Sequence, residues 1–373
     1  MRLRLAPLVC LALGACAPEP PRRPALQVGA VLSQAPVEGF ARALVPRPFA
    51  FPDDHGPHPA FRIEWWYFTG NLEDAAGRRF GYQLTFFRNA LRPDAPDSPS
   101  AWAAREVWMG HLAVSDPAAR RFHAFERFER GALGLAGARA APFEVWTGSW
   151  SARGSDAGPF PLRLQAEEGD VALELTLEPQ KQLVLQGDRG LSQKGREPGN
   201  ASYYYSFTRL ATRGTLRTPD GEHAVQGGSW LDREWSTSAL EPDQAGWDWL
   251  ALQLDDGREL MLYQLRARDG APTPQSAGTL VEADGTSRRL ALDDFTLESL
   301  DTWSSPRSGA VYPSRWRVLV PLAQLELDVR PVLADQELDL SFRYWEGAVD
   351  VRDADGPVGR GYVELTGYDR PAR

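Results

Sequence analysis

The sequence predicts an all-β protein built from two related antiparallel β domains, with little helix. Three observations carry this. Apolar residues recur at every second position in many short runs, the period of a strand with one buried face. Polar, glycine-bearing turns separate these runs. A tryptophan-bearing segment near the start returns in the second half. No stretch sustains a 3.6-residue apolar period.

Taking the elements in order, Phe80, Tyr82, Leu84 and Phe86 share one strand face, and Val171, Leu173, Leu175 and Leu177 share another. Trp316, Val318 and Val320 are followed by Leu325, Leu327 and Val329, and Leu338, Leu340, Phe342 and Tyr344 complete the set. Turn signals fall between them at Pro219-Asp220-Gly221, Asp255-Asp256-Gly257, Ala283-Asp284-Gly285 and Asp355-Gly356. Many short strands with polar turns point to antiparallel barrels or sandwiches. The repeat aligns Trp65-Trp66-Tyr67 and Asn71-Leu72-Glu73-Asp74 with Trp247-Asp248-Trp249 and Gln253-Leu254-Asp255-Asp256. Each copy reads as a strand, an acidic-glycine turn and a second strand, so two related β domains are the simplest explanation.

Composition bounds the function. The chain has 373 residues, 43% hydrophobic and 24% charged, enough to bury a real core and incompatible with global disorder. Its net charge of −9, with no basic run, argues against a nucleic-acid partner. Residues 1–4 are basic and residues 5–13 form an apolar stretch too short to span a bilayer. The stretch ends in Leu13-Gly14-Ala15-Cys16, which resembles a bacterial lipobox. That resemblance implies a signal peptide over 1–15, lipidation of Cys16, and, with Ala17 rather than Asp next, an outer-membrane anchor facing the periplasm. A proline-rich tether is expected over 16–47, with β domains over 48–236 and 237–373. Cys10 lies inside the leader, so the mature chain would carry no free thiol, disulfide or Cys-ligated zinc.

Carboxylates sit on aromatic strand faces. Alternation places Glu64 with Trp66 and Phe68, and Trp230 with Asp232 and Glu234, while Leu231, Arg233 and Trp235 point the other way. Glu346 extends the face of Phe342 and Tyr344, and Tyr362, Glu364, Thr366 and Tyr368 alternate likewise. A carboxyl held among aromatics is desolvated, so its pKa rises and it can serve as a general acid. The competing expectation is structural, each acid being paired with a nearby Arg62, Arg233 or Arg343 or accepting from Trp and Tyr donors. His55 and His58 read as loop residues and His111 as a strand residue. The five His are too scattered for a metal site, and no nucleophile elbow, P-loop or dinucleotide motif is present.

Four blocks taken together resemble one family. They are Glu64-Trp65-Trp66-Tyr67-Phe68-Thr69-Gly70; Gly228-Ser229-Trp230-Leu231-Asp232-Arg233-Glu234-Trp235; Gly246-Trp247-Asp248-Trp249 with Leu252-Gln253-Leu254-Asp255-Asp256-Gly257; and Tyr344-Trp345-Glu346-Gly347 with Gly361-Tyr362-Val363-Glu364-Leu365-Thr366-Gly367-Tyr368. The set is similar to the AttH-type secreted proteins related to carotenoid 1,2-hydratases (hydroxyneurosporene synthases). The resemblance implies two lipocalin-like barrels. The first expectation is an envelope lipoprotein that binds an apolar, lipid or terpenoid-like small molecule, with cofactor-free chemistry on it as an addition; the alternative is a carotenoid 1,2-hydratase-like enzyme that adds water to a terminal alkene by carboxylic-acid protonation. A membrane transporter component is the protein partner it suggests. The chain departs from the hydratase pattern at Arg233, where relatives carry His, and after Tyr263, where no acid follows. The expected site lies where the domains meet. Asp232 or Glu234 would donate a proton and Glu64 would activate water. Trp66, Trp230, Trp235, Trp247, Trp249, Tyr344 and Glu346 would line the ligand.

Overall fold

The computed structural model describes residues 38–94, 98–238 and 240–368. The expected signal peptide, Cys16 and most of the tether lie outside the described residues. The first sheet comprises β1 (Ile63–Asp74), β2 (Arg79–Ala90), β3 (Glu106–Asp116), β4 (Arg121–Arg130), β5 (Ala136–Arg139), β6 (Glu144–Thr147) and β7 (Trp150–Ser155). It continues with β8 (Gly158–Glu168), β9 (Val171–Pro179), β10 (Val184–Leu185), β11 (Leu191–Gln193), β12 (Ala201–Thr218) and β13 (Gly221–Ser236). The second comprises β14 (Gln244–Leu254), β15 (Glu259–Ala267), β16 (Ala277–Val281), β17 (Ser287–Ala291) and β18 (Thr296–Ser304). It ends with β19 (Val311–Val320), β20 (Leu325–Pro331), β21 (Glu337–Asp339), β22 (Arg343–Arg352) and β23 (Pro357–Leu365). Helix among the described residues is confined to 3₁₀ turns at Asp53–His55, Leu292–Asp294 and Pro321–Ala323.

Both sheets are antiparallel and curl into near-barrels, one nearly closed and one a half-barrel. The first runs β4-β3-β2-β1-β13-β12-β9-β8-β7-β6-β5, and the second β17-β16-β15-β14-β23-β22-β20-β19-β18. In each, the opening strand pairs with both the next strand and the last one of its sheet. The tryptophan repeat is therefore the same place in two barrels. Tyr67 sits opposite Asp232 as Trp249 sits opposite Glu364.

Each barrel has its own core. Trp66, Phe68, Leu72, Trp108, Trp150 and Trp235 belong to the first, and Leu250, Leu252, Trp316, Trp345 and Val363 to the second. The opposite faces of β1, β12, β13, β14, β15, β22 and β23 carry a third cluster, with Tyr67, Tyr204, Trp230, Trp249, Tyr263 and Tyr362, that joins the barrels. Strands covered on both faces read as nearly continuous apolar runs, which is why the β1 sequence is aromatic at consecutive positions.

The joint is pseudo-symmetric. The repeat partners Tyr67 and Trp249 meet edge to face with ring centroids 5.2 Å apart. Asn71 donates its side-chain amide to the Gly361 carbonyl at 2.9 Å, and its counterpart Gln253 donates to the Ser229 carbonyl at 3.0 Å. Each opening strand thus clips the last strand of the other barrel. The backbones approach so closely at Gly81 that a Cβ there would lie 2.5 Å from the Ala348 methyl carbon.

The tether expectation needs one correction. Residues 40–47 pack on the first barrel rather than standing free: Ala43 joins its core, the Tyr203 hydroxyl donates to the Val45 carbonyl at 2.9 Å, and Arg47 pairs with Asp54 at 2.6 Å. The first sheet ends at Ser236 and the second begins at Gln244.

Candidate functional site

A cavity of about 400 Å³ lies between the outer faces of the two barrels. That size accommodates a small organic molecule. Strand register builds it in rows. On the first barrel, Tyr67 of β1 continues through β2 to His111 of β3, and the next row runs Trp65, Phe87, Met109 and Phe128. Asp232 and Glu234 of β13 and Tyr204 of β12 stand on the other side of β1. On the second barrel, Glu346, Glu364, Trp249 and Tyr263 form one row, with Tyr344, Trp247 and Leu265 beside them.

The acids differ in their company. Asp232 accepts from the Ser206 hydroxyl at 2.5 Å, the Trp230 indole at 2.7 Å and the Tyr204 hydroxyl at 2.5 Å. Burial still outweighs these donors and pushes its carboxyl up to about 7. Glu234 accepts from the Ser202 hydroxyl and faces the Lys194 ammonium at 3.3 Å. Burial would depress that ammonium, but Glu234 holds it above the ordinary lysine value. Glu346 and Glu364 are cross-strand neighbours. Glu364 accepts from the Trp247 indole at 3.0 Å, and among the described residues no donor makes a well-formed hydrogen bond to either oxygen of Glu346, although the Tyr67 and Tyr344 hydroxyls lie near it. Burial raises both, and their mutual repulsion adds to the rise at Glu346, where the Tyr67 and Tyr344 hydroxyls only partly offset it. Lys194 pairs with Glu234, whereas burial favours the protonated form of the Glu346–Glu364 pair. His111 hydrogen-bonds the Tyr344 hydroxyl through Nδ1 at 2.6 Å, and burial pulls it down to about 3, so it stays neutral.

Several expected residues lie elsewhere. Trp66 and Trp235 face the core of the first barrel. Trp230 belongs to the inter-barrel cluster and touches the site through its bond to Asp232. Glu64 borders the cavity, but its carboxylate is fully buried between Arg88 and Arg233 and accepts the His58 amide at 3.0 Å. Burial would raise it; the Arg233 and Arg88 guanidiniums prevail and hold it well below the usual carboxylate range. With its lone pairs committed, Glu64 suits an ion-pair role better than water activation. Arg233 also stacks on Trp66 at 3.8 Å, and His58 lies parallel to Trp235 at 3.7 Å. His55 and His58 are in a loop, as read, yet they tie that loop into this buried network.

Sequence reasoning missed Lys194, Tyr67, Tyr204, Tyr263 and His111 as cavity residues, and left Glu364 among alternating positions. Tyr67 was findable as the repeat partner of Trp249. Lys194 had no signal, because it follows the short β11 in a polar connection.

A larger, open groove of about 730 Å³ lies toward the other end of β1, around Glu73, Arg79, Asp350 and Arg360. Its charges are already paired across the barrels, Arg79 with Asp350 at 2.6 Å and Arg360 with Glu73 at 2.9 Å. The enclosed aromatic cavity with unpaired acids is the stronger candidate.

Comparison with known proteins agrees with the architecture. An AttH-type protein from Nitrosomonas europaea, solved at 2.00 Å, is 38% identical with a TM-score of 0.79, covering 88% of this chain and 100% of its own. Kievitone hydratase from Nectria haematococca has the same fold, at TM-score 0.67 and 16% identity over 89% of this chain and 97% of its own. The CghA structure with Sch210972 is alike in fold at TM-score 0.54 and 15% identity, over 93% of this chain and 99% of its own. A comparison with curated proteins gives no match. The AttH-like family model matches residues 42–368, and with the Nitrosomonas relative this shows that the chain belongs to the AttH-like family.

Proposed function

We propose that the protein holds an apolar, alkene-bearing small molecule of lipid or terpenoid type between its barrels and hydrates it without a cofactor. The Glu346–Glu364 pair carries this reading. A carrier needs an apolar cavity with a few orienting groups, and two buried acids without a cation are a cost that binding does not require. A protonated carboxyl in a dry aromatic site is what protonation of an alkene does require. Kievitone hydratase, a hydratase by name, supports the same choice through its shared fold.

In this scheme Glu346 gives its proton to one alkene carbon, and the π pair becomes the new C–H bond. The cation left on the other carbon faces the rings of Trp247, Trp249 and Tyr67, which stabilise it. Water attacks that carbon, and Asp232, whose carboxyl titrates near 7, takes the water proton. Return of the proton from Asp232 to Glu346 closes the cycle, with Glu364 standing as the cross-strand neighbour of Glu346. The sum is alkene plus water to alcohol.

Asp232→Asn tests the base. It preserves shape and most hydrogen bonding, so the melting temperature should hold while turnover of an acyclic terpenoid alkene falls roughly 10²–10⁴-fold. A large loss of melting temperature with unchanged ligand retention would instead make Asp232 a structural staple.

The envelope location belongs to the same proposal. The lipobox-like Leu13 to Cys16 and the prolines that follow support a lipid anchor at the outer membrane. Cys16→Ala should leave the protein extractable from membranes by high salt, or block its maturation. Normal maturation with retention of that variant through a high-salt wash in cell fractionation speaks against the anchor.

A further inference from the structure

We propose that the mouth of the inter-barrel cavity is a portal that docks on an anionic lipid surface. Its role in substrate entry rests on the apolar ligand proposed above; the docking does not.

Leu91 and Phe128 line the cavity and are nevertheless 60% and 47% exposed, so they form its rim. Trp102, 58% exposed, lies in the same β2–β3 connection as Leu91, whose amide bonds the Arg105 carbonyl at 2.7 Å. Large apolar side chains at a cavity entrance are costly in water and match the boundary between headgroups and acyl chains, where Trp is favoured. Exposed Arg92 and Arg130 flank them, Arg92 next to Leu91 and Arg130 two residues past Phe128 on β4. Arginines beside interfacial aromatics add attraction to anionic lipid.

A second, independent observation gives the orientation. Gly39, next to the first described residue, packs against Pro93 of this same connection, where a Cβ would come within 2.8 Å of the proline ring. The segment leading back to Cys16 therefore joins the barrel beside the portal. An acyl anchor on Cys16 would hold that side of the molecule toward the bilayer, and a second contact turns weak attachment into stable docking.

The experiment uses the full chain with Cys16→Ala in every sample, so that acylation contributes nothing. Vesicles of phosphatidylethanolamine and phosphatidylglycerol are the probe, and co-sedimentation is the readout. The parent should sediment with the vesicles and release at high salt. Combined Leu91→Ser, Trp102→Ser and Phe128→Ser should weaken binding tenfold or more. These side chains are exposed, so folding should be kept, checked by an unchanged melting temperature. Arg92→Gln with Arg130→Gln should remove the salt sensitivity. Trp102→Phe should lower fluorescence quenching by brominated lipid. Equal sedimentation of the triple-serine variant, or no vesicle binding by the parent, overturns the portal. Glu346→Gln, which should abolish turnover, should dock like the parent. Loss of alkene turnover in all samples with docking intact would sink the hydratase reading alone.

Discussion

Glu346→Gln should reduce alkene turnover by roughly 10²–10⁴-fold and at the same time make the protein more stable at alkaline pH. The two effects share a cause. Glu346 is fully buried beside Glu364, and no cation among the described residues neutralises the pair. Their protons stay on in the folded state to a higher pH than in the unfolded chain, where glutamate titrates near 4.3. The resulting stability is complete below that value. It is lost as pH rises through the raised folded-state pKa values, because the unfolded state ionises first. Glutamine cannot ionise and escapes the loss. Parent and Glu346→Gln should therefore unfold alike at pH 4, whereas at pH 8 the variant should be the more stable of the two. Glu364→Gln should behave similarly, with a smaller gain because the Trp247 indole bond already offsets part of the rise at Glu364. Parental turnover in Glu346→Gln, or a loss of stability at pH 8, would contradict the assignment. The pH profile should match: a rate that needs protonated Glu346 falls as pH rises through its raised pKa.

Glu64→Gln should do the opposite. Glu64 has 0% exposure and is gripped by Arg88 and Arg233, which are themselves buried. Arg88 has further acceptors in Glu106 at 3.0 Å and the His58 and Phe61 carbonyls, and Arg233 in the Gly56 carbonyl at 2.6 Å. Removing the shared anion leaves two guanidiniums facing an amide in a dry site. Breaking a buried pair in this way costs about 3–5 kcal/mol. The sign of the pH effect follows from the depressed Glu64 pKa: its stabilisation is present above about pH 4.3 and fades as pH falls, so parent and variant should converge in acid. Urea unfolding at pH 7 and pH 3 measures both. A cost below about 1 kcal/mol at pH 7, set against that buried-pair scale, would return Glu64 to the list of catalytic groups.

The contrast between these two glutamates shows what alternation can and cannot reveal. It correctly put Glu64 with Trp66, and Asp232 with Trp230 and Glu234. It could not say which face of each strand closed around a barrel core and which met the other barrel. In β1 and β13 both faces are buried, so Trp66 and Trp235 look as suitable for a site as Trp65 and Trp230. The two-barrel architecture was legible because the Trp65 and Trp247 segments repeat, and because turns punctuate strands of one period. The cavity was only half legible. Glu346 and Glu364 come from the last hairpin and Tyr67 from the first strand, and the docking of the barrels, through Asn71, Gln253 and Gly81, brings them together. Arg233 is one half of the clamp on Glu64. No acid follows Tyr263 on β15, and the acids of that row, Glu364 and Glu346, lie two and three strands away on β23 and β22.

Protonation of an alkene in the inter-barrel cavity leaves a label that deuterium exchange can read. The full chain is incubated with an acyclic terpenoid alkene in D₂O, and the recovered small molecule is analysed by mass spectrometry. Hydration should add one carbon-bound deuterium beside a new hydroxyl-bearing carbon, with the parent and not with Glu346→Gln. Recovery of bound but unlabelled alkene from the parent would show that the cavity holds its ligand without reacting with it, and would contradict the claim.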